Sequence, residues 1–183
     1  MPVFKGLLQK QLHNRLAASR NRLYRLAYAW CNDATVSDDL TQDAMTKALR
    51  NSRQLKDPAK LDQWLNGILI NCWRDHYRSR KEHENIDDYE LYENDTPEQQ
   101  WVQSDQRQRI RHAIAKLPES QRMVVTLVDI DGTSYADVAE TMQIPIGTVM
   151  SRLCRARKTL IQRLQDLRQV TATVNTPYLR RVK

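Results

Sequence analysis

The sequence predicts an all-α fold of two small helical domains joined by a flexible acidic linker. Only four of the 183 residues are Gly, roughly 2% of the chain where ~7% is usual. Few positions therefore suit the tight turns that β-hairpins require. Apolar residues recur at intervals of three and four, which is the period of a helix with one buried face. Between two basic blocks lies a strip with eight acidic residues and no Lys or Arg, residues 82–98.

The first basic block begins with two predicted helices. From Leu12 to Trp30, apolar side chains follow the helical period. The run Asn32–Thr35 interrupts it, and Ser37 or Asp38 can cap a second helix that extends to about residue 51. Four side chains share the polar face of this second helix: Asp39, Gln42, Asp43 and Thr46.

A third helix is predicted over about residues 61–81. Its expected buried side comprises Leu61, Leu65, Ile68 and Cys72, with Trp64 beside it. Aromatic and polar side chains interleave further along: Asn71, Trp73, Arg74, Tyr77 and Arg78. Aromatic rings stack on unpaired bases while cations hold the phosphate backbone, so the run favours contact with single-stranded nucleic acid. For Trp73 and Tyr77 a place in the core is an equally good interpretation.

The acidic strip has no sustained helical period, and like charges repel, so we interpret it as a flexible linker. The predicted boundaries are 1–81 for the first domain, 82–98 for the linker and 99–168 for the second domain. The tail that follows, residues 169–183, receives no predicted role.

The second domain is predicted to contain a helix–turn–helix over about residues 134–164. An earlier helix ends near Gly132, which suits a left-handed C′ position. Ser134 can cap a short helix, a four-residue turn at 144–147 follows, and Thr148 can cap a long final helix. Two helices joined by such a turn are typical of proteins that place a recognition helix in the DNA major groove.

The final helix presents a basic face of one sign. Its apolar side chains fall on one side, and five basic residues with no acidic one lie between residues 141 and 165. A helix face that is simply exposed to solvent usually pairs opposite charges at i and i+4, which stabilises the helix. A face with only positive charge therefore favours binding in a groove lined with phosphates, where Arg155 or Ser151 can reach base edges. An ordinary helical hairpin with a basic outer face is the alternative. The exposed side comprises Ser151, Arg155, Lys158 and Gln162, with Thr148 and Cys154 at its edges and Arg152 and Arg157 beside the apolar stripe.

The charge distribution supports a nucleic-acid partner. The chain carries a net charge of +7. Residues 1–81 hold 15 basic and 7 acidic side chains, and residues 99–183 hold 14 and 7. Basic surface of this density is typical of nucleic-acid binding, because neutralising phosphates releases condensed counterions. On charge alone, a well-solvated protein surface is the alternative.

Metal, disulfide and membrane-spanning patterns are not found in the sequence. The cysteines Cys31, Cys72 and Cys154 lie far apart without CxxC spacing, and the four His complete no ligand set, so we predict no metal and reduced thiols. Mean hydropathy is −0.71, and no apolar run approaches the ~18 residues of a membrane span. Without a visible secretory signal, we expect a cytoplasmic protein.

Two stretches of the chain resemble regions 2 and 4 of the extracytoplasmic-function (ECF) sigma factors. Region 4 is matched within residues 107–164 by LPESQR at 117–122, S-Y-x-D-V-A at 134–139 and GTVMSRLCRARKTL at 147–160. Region 2 is matched within residues 23–81 by SDDLTQDAMTKAL at 37–49 and WLNGILINCWRDHYRSR at 64–80. Both regions occur in the order found in the family.

The resemblance implies an alternative-sigma initiation factor, which is a dissociable specificity subunit of bacterial RNA polymerase. Region 2 is then expected to bind the polymerase clamp coiled coil and to open and read the −10 element. Region 4 is expected to sit on the flap tip and read the −35 element. An anti-sigma partner, either soluble or membrane-bound, is also implied, whereas a cofactor or small-molecule substrate is not.

The resemblance also assigns contact residues by position. The clamp contacts fall on Asp39, Gln42 and Asp43. The −10 contacts fall on Asn71, Arg74 and Arg78, to which the aromatic pattern adds Trp73 and Tyr77, while the loop at about 51–62 corresponds to one that captures a flipped base. The −35 contacts fall on Ser151, Arg152, Arg155 and Arg157, to which the exposed face adds Thr148 and Lys158. The family usually has Lys or Arg where Met150 stands and often an aromatic residue at Cys154.

Two other functions fit parts of the sequence. A helix–turn–helix activator or repressor outside the polymerase would explain residues 107–164 but leaves residues 23–81 without a role. It would normally also carry a dimerisation element, and no sustained heptad is present. A nuclease needs carboxylates clustered around Mg²⁺, and the one candidate cluster, Asp38–Asp39 with Asp43, lies on an exposed helix face. We therefore predict no catalytic residues.

Overall fold

The computed structural model describes the backbone of residues 2–83 and 102–174 and the side chains of residues 12–79 and 108–165. Every regular element in these ranges is helical, which confirms the predicted all-α class. Most of the predicted linker and the last nine residues of the predicted tail lie outside the described residues.

The first helical group consists of α1 (Pro2–Cys31), α2 (Ala34–Arg50) and α3 (Leu61–His83), with two short 3₁₀ turns between α2 and α3. Asp33 caps α2, because its carboxylate accepts a hydrogen bond from the Val36 N–H at 2.9 Å. The predicted cap at Ser37 or Asp38 is therefore wrong. Asn32 has a positive φ of 54°, which turns the chain directly after α1. The break between α1 and α2 is therefore shorter than predicted, and Ser37 is buried inside α2.

The second helical group consists of α4 (Val102–Ala115), α5 (Glu119–Val125), a π-helical turn (Thr126–Ile130), α6 (Tyr135–Met142) and α7 (Ile146–Val174). Gly132 adopts a φ of +76°, which confirms its left-handed position. Ser134 caps α6 by accepting from the Asp137 N–H at 3.1 Å, also as predicted. Thr148 does not cap α7. The helix already begins at Ile146, and the Thr148 N–H donates to the Pro145 carbonyl at 2.8 Å.

Buried apolar side chains from both groups form one continuous core. Helix α3 lies in the middle, because α1 and α2 contact it from one side and α6 from another. Because α3 is contacted from more than one side, more of its surface is buried than the sequence predicts. Leu69, Ile70 and Trp73 are buried as well, whereas Ile68 and Trp64 are half-buried against the core.

Candidate nucleic-acid interface

Helix α7 places its predicted cations on the outside of the helix–turn–helix. Val149, Leu153 and Ala156 are buried against α5 and α6, and this packing fixes the rotation of the helix about its axis. Arg155 and Lys158 are consequently exposed. The predicted side chains nearer the core are half-buried: Thr148, Ser151 and Arg152. The Ser151 hydroxyl donates to the Thr148 carbonyl at 3.1 Å, which leaves its oxygen lone pairs as acceptors.

Arg157 differs from the other predicted contacts because it is already paired. Its guanidinium donates to the Asp129 carboxylate from Nε at 3.0 Å and from Nη2 at 2.5 Å. The hydrogen bond and charge of Asp129 raise the pKa of Arg157 above its ordinary value. This bidentate pair ties α7 to the end of the π-helical turn and partly compensates the positive charge of Arg157. Sequence spacing gives no sign of Asp129 as a partner, since 28 positions separate the two.

An apolar strip accompanies the cations. Met150 is 48% exposed, and Cys154 is an exposed thiol one turn further along α7. With Tyr135 and Ile161 they line a shallow groove of about 410 Å³. An exposed apolar strip can contact a thymine methyl group, which is the apolar feature of the DNA major groove.

The predicted acidic face of α2 lies on the surface of the protein. Asp39, Gln42 and Asp43 are all exposed, as the helical spacing predicts. Asp39 and Asp43 line a groove of about 310 Å³ together with Lys47 and Asp75, and Asp75 comes from α3. Lys47 Nζ lies 3.5 Å from the Asp75 carboxylate. Local sequence patterns do not predict Lys47 and Asp75 as part of this groove, because their proximity depends on how α2 and α3 pack.

Cys72 lies at the edge of the same groove. Burial raises the pKa of the Cys72 thiol above its ordinary value, so the side chain stays protonated at neutral pH and behaves as a core residue.

The five residues predicted to hold single-stranded DNA divide into two sets on α3. Asn71 and Arg78 are exposed. Trp73 is only 5% exposed, and its indole N–H donates to Glu119 of α5 at 2.7 Å. Two further members of the set are half-buried near Trp73: Arg74 and Tyr77.

Contacts within that second set connect α3 to the second helical group. The Arg74 guanidinium donates to the Met142 carbonyl at the end of α6 at 3.2 Å. The Tyr77 ring lies 5.9 Å from the Trp73 ring, centroid to centroid. The structure therefore turns two predicted −10 contacts, Trp73 and Arg74, toward the other helical group.

No metal cluster of three or more His, Cys, Asp or Glu side chains occurs in the part of the chain that is described. Within residues 2–83 and 102–174, no helix has the length and apolar character that a membrane crossing requires. The three cysteines are free thiols.

Family models match both helical groups. Residues 16–83 match the model described as Sigma-70 region 2, and residues 107–160 match Sigma-70, region 4. The RNA polymerase sigma-H factor of Pseudomonas aeruginosa is 31% identical over 160 residues, which cover 81% of this chain and 83% of that protein. The ECF RNA polymerase sigma factor SigM of Mycobacterium tuberculosis is 33% identical over 154 residues, covering 84% and 76%.

Solved structures share the architecture. The sigma factor RpoE of Bartonella quintana, in complex with the anti-sigma factor NepR, superposes with a TM-score of 0.76 at 27% identity, covering 85% of this chain and 98% of that one. CnrH, in complex with the cytosolic domain of CnrY, gives a TM-score of 0.64 at 23% identity and 86% and 90% coverage, which is a likeness of fold.

Proposed function

Because the chain belongs to the extracytoplasmic-function group of the sigma-70 family and is an alternative initiation factor for RNA polymerase, we propose that its two helical groups read two promoter elements while it is bound to core polymerase. The observation that carries this proposal is the separation of charge. Exposed carboxylates lie on α2, and exposed cations lie on α3 and α7. A carboxylate face repels phosphates and suits a protein, whereas a cationic face suits DNA.

Helix α7 reads the −35 element. The exposed guanidinium of Arg155 can donate two hydrogen bonds to one guanine in the major groove. Lys158 holds a phosphate, which contributes affinity without sequence preference. The supporting contacts come from Thr148, Ser151, Arg152 and Arg157. Asp129 holds the Arg157 guanidinium. Arg157 therefore contributes more to the position of α7 than to the free positive charge of its surface.

The exposed face of Asp39, Gln42 and Asp43 binds the polymerase clamp coiled coil, and the second helical group sits on the flap tip. Two carboxylates four residues apart present their charge on one side of α2, and that spacing suits cations on a partner helix. The adjacent Asp75 extends the same acidic groove onto α3.

Helix α3 holds the −10 element as a single strand. Asn71 and Arg78 supply exposed polar contacts, Arg74 binds the backbone, and Trp73 and Tyr77 offer rings on which unpaired bases stack. The loop at about 51–62 receives a flipped base. Binding energy, and no catalytic group of this chain, drives strand opening.

An anti-sigma factor regulates this chain. The supporting observation is the likeness to a sigma factor solved with an anti-sigma factor. Since polymerase and promoter DNA are both cytoplasmic in bacteria, the chain acts there. A separate role as a helix–turn–helix regulator is not favoured, because it would leave residues 16–83, which match region 2, without a function.

The test is transcription from a genomic promoter library by core polymerase with and without the full chain, followed by mapping of the start sites. We expect new start sites that share one −35 and one −10 sequence. Arg155→Ala should reduce their use, while Lys116→Ala, which removes an exposed cation just after α4, should not. Failure to co-purify with core polymerase, or start sites without a shared −35 sequence, would contradict the proposal.

A further inference from the structure

An apolar strip on the outside of α7 consists of Met150 and Cys154. Met150 is 48% exposed, although it is a large apolar side chain. Cys154 is exposed four residues later, on the same side of the helix. The rotation of α7 cannot turn them inward, because the residues just before them, Val149 and Leu153, are buried in the core. Both members of the strip therefore face outward.

Positive charge borders the apolar strip. Met150 and Cys154 line the shallow groove of about 410 Å³ together with Arg157 and Lys158, and the described side chains that line it include no carboxylate. Such a surface fits an occupant that combines negative charge with a small apolar group. The major groove of DNA offers both, since phosphates lie along its edges and the thymine methyl group projects into it.

The place of the strip in the fold favours DNA over an acidic protein as its occupant. Both residues lie in the first three turns of α7, which begins at Ile146 directly after the turn of the helix–turn–helix. Side chains in these turns reach base edges when such a helix enters the major groove. A protein bound here would displace the duplex that Arg155 reads.

Two rows of side chains then face the base edges. Successive residues are about 100° apart around a helix, so Ser151 and Arg155 form a polar row beside the apolar row of Met150 and Cys154. The polar row reads guanine through hydrogen bonds, whereas the apolar row offers a contact surface for a methyl group. Met150 precedes Arg155 by about 7.5 Å along the axis, which corresponds to roughly two base-pair steps.

We propose that Met150, supported by Cys154, is a specificity-determining residue that recognises the C5-methyl group of a thymine within about two base pairs of the guanine bound by Arg155. This contact rests on the reading of the −35 element by α7, described under the proposed function, and adds a second kind of base recognition to it. The unbranched side chain of Met150 suits the role, because its rotatable bonds and polarisable sulfur adapt to a small apolar target.

Uracil substitution tests this contact directly, because uracil differs from thymine only in lacking the methyl group. Holoenzyme is assembled from core polymerase and the full chain, and a labelled promoter mapped with it is competed with unlabelled promoters. In each competitor, uracil replaces one thymine of either strand of the −35 element. We expect one thymine, or two neighbouring ones, at which uracil weakens binding about fourfold, the effect of leaving one methyl-sized group unburied.

Three variants locate the contact on the protein. Met150→Ala should bind the thymine and uracil promoters equally at the sensitive position, with unchanged helical circular dichroism because the side chain is exposed. Ile110→Ala is the matched control: it removes an apolar side chain of similar exposure, 46%, from α4, and should keep the fourfold ratio. Arg155→Ala should also keep the ratio while it loses the preference for guanine, since the two rows read different base pairs.

Several results would overturn the proposal. Equal binding of all thymine and uracil promoters would mean that no methyl group is read, as would a mapped −35 element without a thymine near the guanine that Arg155 reads. A fourfold ratio that survives Met150→Ala would place the methyl contact on another residue. A loss of affinity for core polymerase in Met150→Ala would assign the strip to a protein partner.

Failure of the methyl contact is distinguishable from failure of −35 reading. If uracil had no effect but Arg155→Ala still lost the preference for guanine, α7 would read the −35 element without the apolar strip. If the wild-type holoenzyme bound matched and scrambled −35 elements equally, the reading of this element by α7 would fail and the methyl contact with it.

Discussion

Thr126→Val measures how strongly the two helical groups depend on each other. Thr126 is fully buried in the π-helical turn and accepts a 2.7 Å hydrogen bond from the Trp30 indole of α1. Valine keeps the shape but removes the acceptor, and the Trp30 N–H is left buried without a partner. Such a group costs about 1–3 kcal/mol of the free energy of unfolding. For a chain of this size, that corresponds to a decrease in Tm of roughly 3–9 °C.

Thr41→Val is the matched control. Thr41 is also fully buried, and its hydroxyl donates to the carbonyl of Ser37 within α2 at 2.6 Å. Thr126 makes similar bonds within its own helix, to the Arg122 and Met123 carbonyls. The effect of exchanging a buried hydroxyl for a methyl group is therefore common to both variants, and the difference between them isolates the bond from Trp30.

Urea unfolding followed by circular dichroism provides the assay. We expect Thr126→Val to lose about 1–3 kcal/mol more than Thr41→Val, with unfolding still in a single transition because the core is continuous. Equal losses in the two variants would mean that the hydrogen bond from Trp30 adds no measurable stability. Two separate transitions in the wild type would mean that the helical groups fold independently.

The remaining predictions concern recognition and pH. Arg155→Ala should lose ~1–3 kcal/mol of discrimination at one or two −35 positions, whereas Lys158→Ala should weaken binding to all sequences and flatten the salt dependence; both are measured by fluorescence anisotropy with matched and scrambled duplexes. Asp39→Arg with Asp43→Arg should reduce affinity for core polymerase, measured by competition with a labelled sigma factor, without changing helix content. Burial raises the pKa of Asp131, but hydrogen bonds from its neighbours outweigh it and hold the pKa below the ordinary value. Its contribution to stability should therefore be complete above about pH 4 and lost as the pH falls further, and acid titration of the unfolding free energy measures this loss.

Each of these predictions has a control and a result that counts against it. Lys116→Ala should leave both anisotropy measurements unchanged, and equal losses on matched and scrambled duplexes would contradict a reading role for Arg155. Ala17→Arg with Asn21→Arg places two cations on the exposed side of α1 instead, and it should not affect polymerase binding. Asp131→Asn should flatten the acid dependence below pH 4, and an unchanged slope would contradict the assignment to this carboxylate.

Local sequence signals were sufficient for most helices and for the helix–turn–helix. The apolar period located the buried face of α7, and the capping and left-handed positions at Ser134 and Gly132 were correct. These features depend on residues only a few positions apart. The two incorrect caps, at Ser37 and Thr148, arose because an Asp or a Pro just upstream begins the helix earlier.

The contact between the helical groups could not be predicted from local patterns. Arg22 and Asp131, which are hydrogen-bonded, are 109 positions apart, and polar residues at such separations look like ordinary solvated surface in a sequence. The same contact buries Trp73, for which the sequence allowed either the core or base stacking.

The most direct test of the account is a cycle that combines promoter and protein changes. A promoter mapped with the holoenzyme is altered at one −35 base pair or at one −10 base, and each template is transcribed with wild-type or Arg155→Ala protein. If α7 reads the −35 element, one −35 substitution should lose its effect in the Arg155→Ala protein, while the −10 substitution should reduce transcription by the same factor in both. If Arg155→Ala instead reduced transcription by the same factor on every −35 template, as on the −10 template, Arg155 would not read the −35 element.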